Sequence, residues 1–220
     1  MGVLDLSAVE VRVLGCLMEK EVTTPDNYPL TVNGLLSACN QSSNRSPITA
    51  YGEGEVTRAL TSLRERGLTR IVYSPSNRAP KHRHVADDLL HLSPGEQAVL
   101  CVLAVRGPQT LGEVKGRTER LFAFDDLAAA EAALDALASR DDPLAVKLPR
   151  QPGQKDLRYA HLLAGPVDAE ALAAEAAAAP AGASRSDRIG PLEERVQALE
   201  ATVAELARVV ELLRPLVDEG

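Results

Sequence analysis

The sequence predicts a mainly α protein with small β-hairpin wings, an α+β class built as tandem winged-helix domains followed by a C-terminal coiled-coil helix. Three observations lead to this prediction. An order of three helical patterns and one hairpin pattern occurs twice along the chain. Each occurrence begins with a serine that has a glutamate three residues later, which is the spacing of a capping box. A heptad pattern of Val or Ile alternating with Leu follows near the C-terminus.

The composition is that of a folded chain of one or two domains. The 220 residues are 45% hydrophobic and 25% charged, and the net charge of −7 is too modest for a wholly disordered chain. No hydrophobic run approaches the ~18–20 residues that cross a bilayer, and no secretory signal is visible. The three cysteines form no C-x-x-C pair. We therefore expect a cytoplasmic protein with no membrane partner.

The first domain is predicted to span residues 1–91 and to begin with three helices. A capped helix covers about 8–20. Thr31 caps a second, short helix. The polar stretch 40–52 contains Pro and Gly and is predicted to be a loop. The third helix covers about 53–66, with its apolar residues on one face.

A β-hairpin is predicted to close the first domain. Residues 68–73 are rich in β-forming residues, and residues 81–85 return as a second strand. The stretch 74–80, which contains Ser, Pro and Asn, forms the turn between them. Helices followed by such a hairpin are the winged-helix plan, a variant of the helix-turn-helix.

The second domain, residues 92–164, repeats this plan. Ser93 and Glu96 repeat the capping box. The remaining predicted elements are a short helix opened by Gln109-Thr110-Leu111, a helix at 125–139, and strands at 145–148 and 157–162.

The C-terminal part is predicted to be a linker and a coiled coil. An Ala-rich linker with Pro and Gly covers residues 165–188, and the coiled-coil helix covers residues 189–214. β-branched residues at each a position and Leu at each d position favour two parallel strands, and hence a homodimer. The alternative is a single amphipathic helix that docks on the rest of the chain. The predicted dimerisation residues are Ile189, Leu192, Val196, Leu199, Val203, Leu206, Val210 and Leu213.

The negative charge of the chain is concentrated in its C-terminal part. Residues 166–220 carry five basic and eleven acidic residues, whereas residues 1–92 carry ten of each. Within the first domain, residues 41–85 carry eight basic and three acidic residues, a local cationic patch of the kind that binds nucleic acid. The alternative is a solvated surface that happens to be basic. Glu53 and Glu55, at the start of the third helix, stand against DNA at that point.

The cationic patch predicts double-stranded DNA as a partner of the first domain. The third helix of a winged helix usually enters the major groove, and its hairpin contacts the DNA backbone. Arginine reads guanine, and Ser or Thr binds bases or phosphates. The candidate DNA-binding residues are Asn40, Gln41, Asn44 and Arg45 in the loop, Thr57, Arg58, Thr61, Ser62 and Arg64 in the third helix, and Arg70, Asn77, Arg78, Lys81 and Arg83 in the hairpin.

The second domain has a different surface. Its third helix carries Asp125, Asp126, Glu131 and Asp135 among alanines, and such an acidic helix is a poor reader of a DNA groove. It is a plausible contact surface for another protein. Two functions follow: a dimeric transcriptional regulator that binds DNA through the first domain, or a non-enzymatic scaffold whose winged helices dock proteins.

No catalytic or metal site can be assembled from the sequence. His82 and His84 form an H-x-H pair on a predicted strand, but no Cys, Asp or Glu at ligand spacing surrounds them. We expect these histidines to face solvent or a phosphate. Cys39 is either a reactive thiol or, as we expect, a small buried hydrophobe. The sequence therefore predicts no enzyme, no cofactor and no bound metal.

A long motif at residues 19–48 carries a family resemblance. It contains Thr23-Thr24-Pro25, Tyr28-Pro29-Leu30, Asn33 and Ala38-Cys39-Asn40-Gln41, with further likeness at Asn77-Arg78, Arg106-Gly107, Gln109-Thr110 and Arg158-Tyr159-x-His161-Leu162. In these residues the chain resembles the YceH-like family of uncharacterised bacterial proteins, over most of residues 4–163. The resemblance implies a tandem winged-helix fold and no settled activity. The family usually has Lys where Ser43 stands here, which removes a cation from the 40–52 loop.

Overall fold

The structure, a computed structural model, describes residues 4–73, 79–150 and 156–167. In these residues helices predominate and the strands form small antiparallel sheets, which confirms the predicted fold class. The described residues belong to one compact unit, Met1–Ala169. The predicted coiled-coil helix, with all its heptad positions from Ile189 to Leu213, and the linker beyond residue 167 lie outside the described residues. We call residues 4–91 the first half and residues 92–167 the second half.

The first half begins with the predicted capped helix, α1 (Ala8–Thr23). The Ser7 hydroxyl accepts a hydrogen bond from the amide of Glu10, and the Glu10 carboxylate accepts one from the amide of Ser7. The helix extends three residues beyond the predicted end. The hydroxyls of Thr23 and Thr24 donate to the carbonyls of Glu19 and Lys20, one turn earlier, at the end of the helix.

The rest of the first half also follows the predicted order. A 3₁₀ turn (Pro25–Asn27) leads to α2 (Val32–Cys39), which Thr31 caps. Helix α3 (Glu53–Glu65) buries Val56, Ala59, Leu60 and Leu63. The hairpin consists of β1 (Thr69–Val72) and β2 (Lys81–His84), with Thr69 opposite His84 and Val72 opposite Lys81.

The first half ends with one helix that the sequence pattern does not predict, α4 (Ala86–Leu90), which is too short for a periodic signal. The second half begins with helix α5 (Pro94–Arg106), which has the predicted capping box at Ser93. The further elements are β3 (Gln109–Thr110), α6 (Leu111–Thr118), α7 (Leu127–Ala138), β4 (Ala145–Lys147) and β5 (Arg158–His161), with strand order β3-β5-β4.

The two halves share a detail of strand pairing that agrees with the predicted repeat. In the first half, Leu30, just before α2, exchanges two backbone hydrogen bonds with His82 of β2, at 3.0 and 2.7 Å. In the second half, β3 lies just before α6, and its residue Gln109 is the partner of Tyr159 in β5. The order of helices and hairpin therefore recurs, while the winged-helix assignment of each half stays a prediction.

Helices α1 and α5 pack closely at Gly15. A Cβ atom added to Gly15 would lie 2.8 Å from Cγ1 of Val105 and 3.0 Å from Cβ of Ala104. The Cys101 thiol donates to the Gly15 carbonyl at 3.4 Å. Because both helices are buried over most of their length, their interface joins the apolar residues of the two halves into one core.

We predict that Gly15→Ala lowers the free energy of unfolding by about 1–2 kcal/mol, although Ala is the better helix former, because the new methyl group overpacks the α1–α5 contact. Gly116 in α6 is the matched control, since a Cβ there meets no atom within 4 Å. Gly116→Ala should raise the same free energy by about 0.5–1 kcal/mol. Urea unfolding measures both, and two changes of the same sign would contradict the packing described.

We predict that stability falls as the pH is lowered from 6.5 towards 4. Burial lowers the pKa of His161 to about 4, so between these values the unfolded chain binds a proton that the folded chain does not. The free energy of unfolding should decrease by up to about 3 kcal/mol over this range. His161→Phe should flatten the slope of urea midpoint against pH above pH 4.5, and an unchanged slope would show that His161 is not responsible.

Candidate nucleic-acid interface

A groove runs between α3, the N-terminal end of α2 and the first hairpin. Thr57, Thr61 and Arg64 line its α3 side, since a spacing of three or four residues places them on one helix face. Ile71 and His82 line the hairpin side. The groove has a volume of about 400 Å³. It brings three candidate residues of the third helix beside the hairpin, whereas Arg70, Lys81 and Arg83, the described candidates of the hairpin, do not line it.

Four cations lie on α3 and the hairpin without an acidic partner. Arg58, Arg64 and Arg70 are exposed, and Lys81 is half-buried. Among the described residues, no carboxylate lies within ion-pair distance of any of the four. Unpaired positive charge at a surface attracts phosphate, because no neighbouring carboxylate cancels its field. We call Arg58, Arg64, Arg70 and Lys81 the unpaired cations.

Arg83 differs from its neighbours on the hairpin. It lies opposite Arg70 in the β1–β2 register, where two like charges would repel. Its guanidinium pairs with Glu21 of α1 at 3.2 Å. The predicted contact residue Arg83 therefore carries a largely neutralised charge and helps to hold the hairpin to α1.

Arg45 is the main correction to the predicted site. Its side chain is buried, with two guanidinium nitrogens 3.1 and 2.5 Å from the Glu19 carboxylate and Nε donating to the Ala38 carbonyl at 2.9 Å. Burial opposes the charge, but the hydrogen bonds to Glu19 raise the pKa of Arg45 above its usual value. The structure thus uses Arg45 to tie the 40–52 loop to α1 and does not present it to a ligand.

The amide side chains of the 40–52 loop are also engaged within the protein. Asn40 donates to the carbonyl of Tyr51 and accepts from the amide of the same residue, each at 2.9 Å. The side-chain oxygen of Gln41 accepts from Arg45 at 2.8 Å. Asn44 is exposed, and its side-chain oxygen accepts from Arg106 at the end of α5, at 2.5 Å. The amide side chains of the loop are therefore hydrogen-bonded within the protein, which weakens the prediction that they contact DNA.

Two further parts of the predicted site differ from expectation or cannot be placed. Ser62 is half-buried and lies beside the Glu10 carboxylate on α1, so it faces the protein. Burial opposes ionisation of Glu10, yet the neighbouring Ser62 and Ser7 hold the pKa of this carboxylate below its usual value. Asn77 and Arg78, at the hairpin tip, lie outside the described residues.

The two histidines of β2 have different environments. His84 is fully buried, and its Nε2 lies 2.7 Å from the Glu21 carboxylate, so the expectation that it faces solvent or phosphate is wrong. His82 lines the groove, where burial and the nearby charge of Arg64 lower its pKa. The charged form of His82 is therefore disfavoured in the groove. The sequence pattern did not separate the two, because residues two apart on a strand look alike until their neighbours are known.

Sequence reasoning missed two groove residues at the N-terminal end of α2. Thr31 and Asn33 line the groove, and Asn33 is exposed. The Thr31 hydroxyl is already used to cap α2, which leaves the Asn33 amide as an additional polar group facing the groove. The sequence does indicate that a helix begins after Thr31. It does not show that this helix lies beside the hairpin, because the pairing of Leu30 with β2 that brings them together joins residues far apart in the chain.

The acidic residues at the start of α3 have separate roles. Glu55 accepts a hydrogen bond from the amide of Gly52 at 2.8 Å and so caps the helix. Glu53 lines the groove. A phosphate that approaches this end of α3 meets a negative charge, whereas the Arg64 end is positive. The groove is therefore negative near Glu53 and positive near Arg64.

No three His, Cys, Asp or Glu side chains in residues 4–73, 79–150 and 156–167 are grouped to hold a metal ion. Cys39 is buried, as expected of a small hydrophobe. No helix in the described part of the chain has both the length and the apolar character needed to cross a membrane.

Comparison with known proteins confirms the resemblance to a family of uncharacterised bacterial proteins. Residues 6–154 match the family described as protein of unknown function, DUF480. A UPF0502 protein of Geobacter sulfurreducens is 51% identical over 201 residues, which cover 91% of this chain and 90% of that relative. UPF0502 proteins of Solibacter usitatus and Azoarcus sp. are 48% and 45% identical, over 96% and 97% of this chain and 97% and 95% of their own length. The name YceH-like is not tested by these matches.

We predict that two arginines of the cationic patch, Arg45 and Arg64, differ in their contribution to stability. Arg45→Ala should lower the free energy of unfolding by about 2–4 kcal/mol, because it breaks the buried pair with Glu19. Arg64→Ala should change it by less than about 0.5 kcal/mol, since Arg64 is exposed and unpaired. Urea unfolding of the two variants measures the difference, and equal costs would contradict the division into structural and unpaired cations.

Proposed function

The chain belongs to the DUF480/UPF0502 family of bacterial proteins, and from the arrangement of its surface charge we propose that it is a cytoplasmic DNA-binding protein without enzymatic activity. Its first half contacts duplex DNA, with α3 directed at the major groove and the β1–β2 hairpin along the phosphate backbone. Two copies joined through the C-terminal heptads act together as a dimeric transcriptional regulator.

The observation that carries this proposal is the group of unpaired cations on α3 and the hairpin. Five other basic residues of the first half, Arg12, Lys20, Arg45, Arg66 and Arg83, are engaged with carbonyls or carboxylates of the protein. The cations that remain unpaired lie on the two elements that meet DNA in winged-helix proteins. Phosphate contacts supply most of the affinity of such complexes.

The α3 side of the groove offers groups suited to reading bases. Arg64 can donate two parallel hydrogen bonds to guanine, and the hydroxyls of Thr57 and Thr61 can bind bases or phosphates. Thr61 at present donates to the Thr57 carbonyl at 3.1 Å, and its oxygen retains the capacity to accept a hydrogen bond. Glu53 can accept a hydrogen bond from the amino group of cytosine, while it repels a phosphate at the same place. These groups favour sequence preference in addition to charge attraction.

The second half favours a second candidate function, docking of another protein. Helix α7 is capped by Asp126 and exposes Asp135 and a series of alanines, and the exposed Asp125 lies just before it. Leu127, at its first turn, is 50% exposed. An acidic face with an exposed leucine repels DNA and suits a basic, partly apolar protein partner. In the scaffold alternative such docking is the whole function, and recovery of a stoichiometric protein partner without nucleic acid would favour it.

We predict that the full-length protein binds a short labelled duplex with micromolar affinity at low salt, and that the logarithm of the binding constant falls linearly with the logarithm of the salt concentration. Arg58→Ala, Arg64→Ala, Arg70→Ala and Lys81→Ala should each weaken binding and reduce the magnitude of the slope by about one where a phosphate contact is lost. Fluorescence anisotropy between low and moderate salt measures both quantities.

Arg120→Ala is the matched control for this titration. Arg120 is exposed, follows α6 in the second half, and lies in no ion pair among the described residues. Its removal should leave the affinity and the salt slope unchanged. Absence of binding at micromolar protein, binding without salt dependence, or equal effects of Arg120→Ala and Arg64→Ala would each contradict the proposal.

A further inference from the structure

A second cavity lies away from the groove, where the N-terminal segment, the α4 helix and the end of α7 meet. Its walls are mainly leucine side chains, from Leu4, Leu89, Leu90, Leu144 and Leu162. Its volume is about 530 Å³, within the range of pockets that hold small organic molecules. The groove described above shares none of these residues.

The walls of this cavity are fixed by hydrogen bonds to backbone groups of its lining residues and their neighbours. The Leu144 amide donates to the Leu137 carbonyl at 2.9 Å, and the Leu162 amide donates to the Leu144 carbonyl at 2.8 Å. Arg140 donates to the carbonyls of Leu90 and His91 and so ties the end of α7 to the end of α4. The cavity is therefore formed before any ligand enters, which limits the entropy lost on binding.

The mouth of the cavity carries an exposed carboxylate, that of Asp141. Arg140 also lines the cavity, but its guanidinium is held by the two carbonyls and by the Glu96 carboxylate at 3.2 Å. An apolar interior with a carboxylate rim matches a molecule that has an apolar body and a positively charged head.

We propose that this cavity is a binding site for a small amphipathic cation, an alkyl or aralkyl ammonium compound. The apolar body lies against Leu89, Leu90 and Leu162, where it replaces water on the leucine side chains. The ammonium head lies at the mouth beside Asp141. This binding is independent of DNA contact, because the unpaired cations lie on α3 and the hairpin and none of them lines the cavity.

The test uses the full-length protein and two probes of equal chain length and opposite charge, n-octylammonium and octanoate, titrated by calorimetry at low ionic strength and neutral pH. Octylammonium should bind with one saturable site and at least about five-fold more tightly than octanoate, as an ion pair at a partly exposed carboxylate allows. Asp141→Asn should remove most of this preference and leave thermal stability unchanged.

Two further variants separate the cavity from general surface binding. Leu89→Trp should fill the cavity and abolish the binding of both probes, and retained thermal unfolding of this variant shows that it is folded. Asp125→Asn removes an exposed carboxylate outside the cavity and should leave octylammonium binding unchanged. The proposal is overturned by the absence of saturable octylammonium binding, by equal or tighter binding of octanoate, or by binding that survives Leu89→Trp. None of these results bears on DNA binding, which is measured without the probes.

Discussion

The close approach of α1 and α5 at Gly15 is the constraint on which the rest of the structure depends. The two helices come from different halves of the chain, and side chains of Ala104 and Val105 occupy the space that a Cβ at residue 15 would need. Their contact places the 40–52 loop against the end of α5, where Ser46 donates to the Val105 carbonyl. Because the loop is anchored on both sides, Arg45 within it serves the fold. Among the described residues of the first half, the cations without a carbonyl or carboxylate partner lie on α3 and the hairpin.

Local signals in the sequence predicted the helices and strands well. Which polar side chains are buried within the protein depends on contacts between distant residues, which the sequence does not show. The capping boxes at Ser7 and Ser93 involve residues three apart, so helix starts could be read directly. The burial of Arg45 depends on Glu19, which is 26 residues away, and no pattern near Arg45 reveals this pair. The same reason explains Ser62 and His84, whose partners, Glu10 and Glu21, both lie on α1.

The charges of the first half therefore have two physical roles. Arg45 and Arg83 lose hydration on folding, and ion pairs with α1 compensate for this loss. Arg58, Arg64, Arg70 and Lys81 have no such ion pair within the protein. They can therefore neutralise phosphates of DNA, and the counterions that the DNA then releases favour binding. A net charge of −7 for the whole chain says little about this surface, because most of that charge belongs to residues 166–220.

The most direct test of this account is to observe the arginine side chains themselves while duplex DNA is added. Nitrogen-15 NMR of the Nε–Hε groups resolves individual guanidinium groups, and substitution of single arginines assigns them. The account predicts that the signals of Arg58, Arg64 and Arg70 shift with DNA, whereas those of Arg12 and Arg45 do not. Shifts confined to Arg117 and Arg120 of the second half, or shifts of Arg45 as large as those of Arg64, would contradict it.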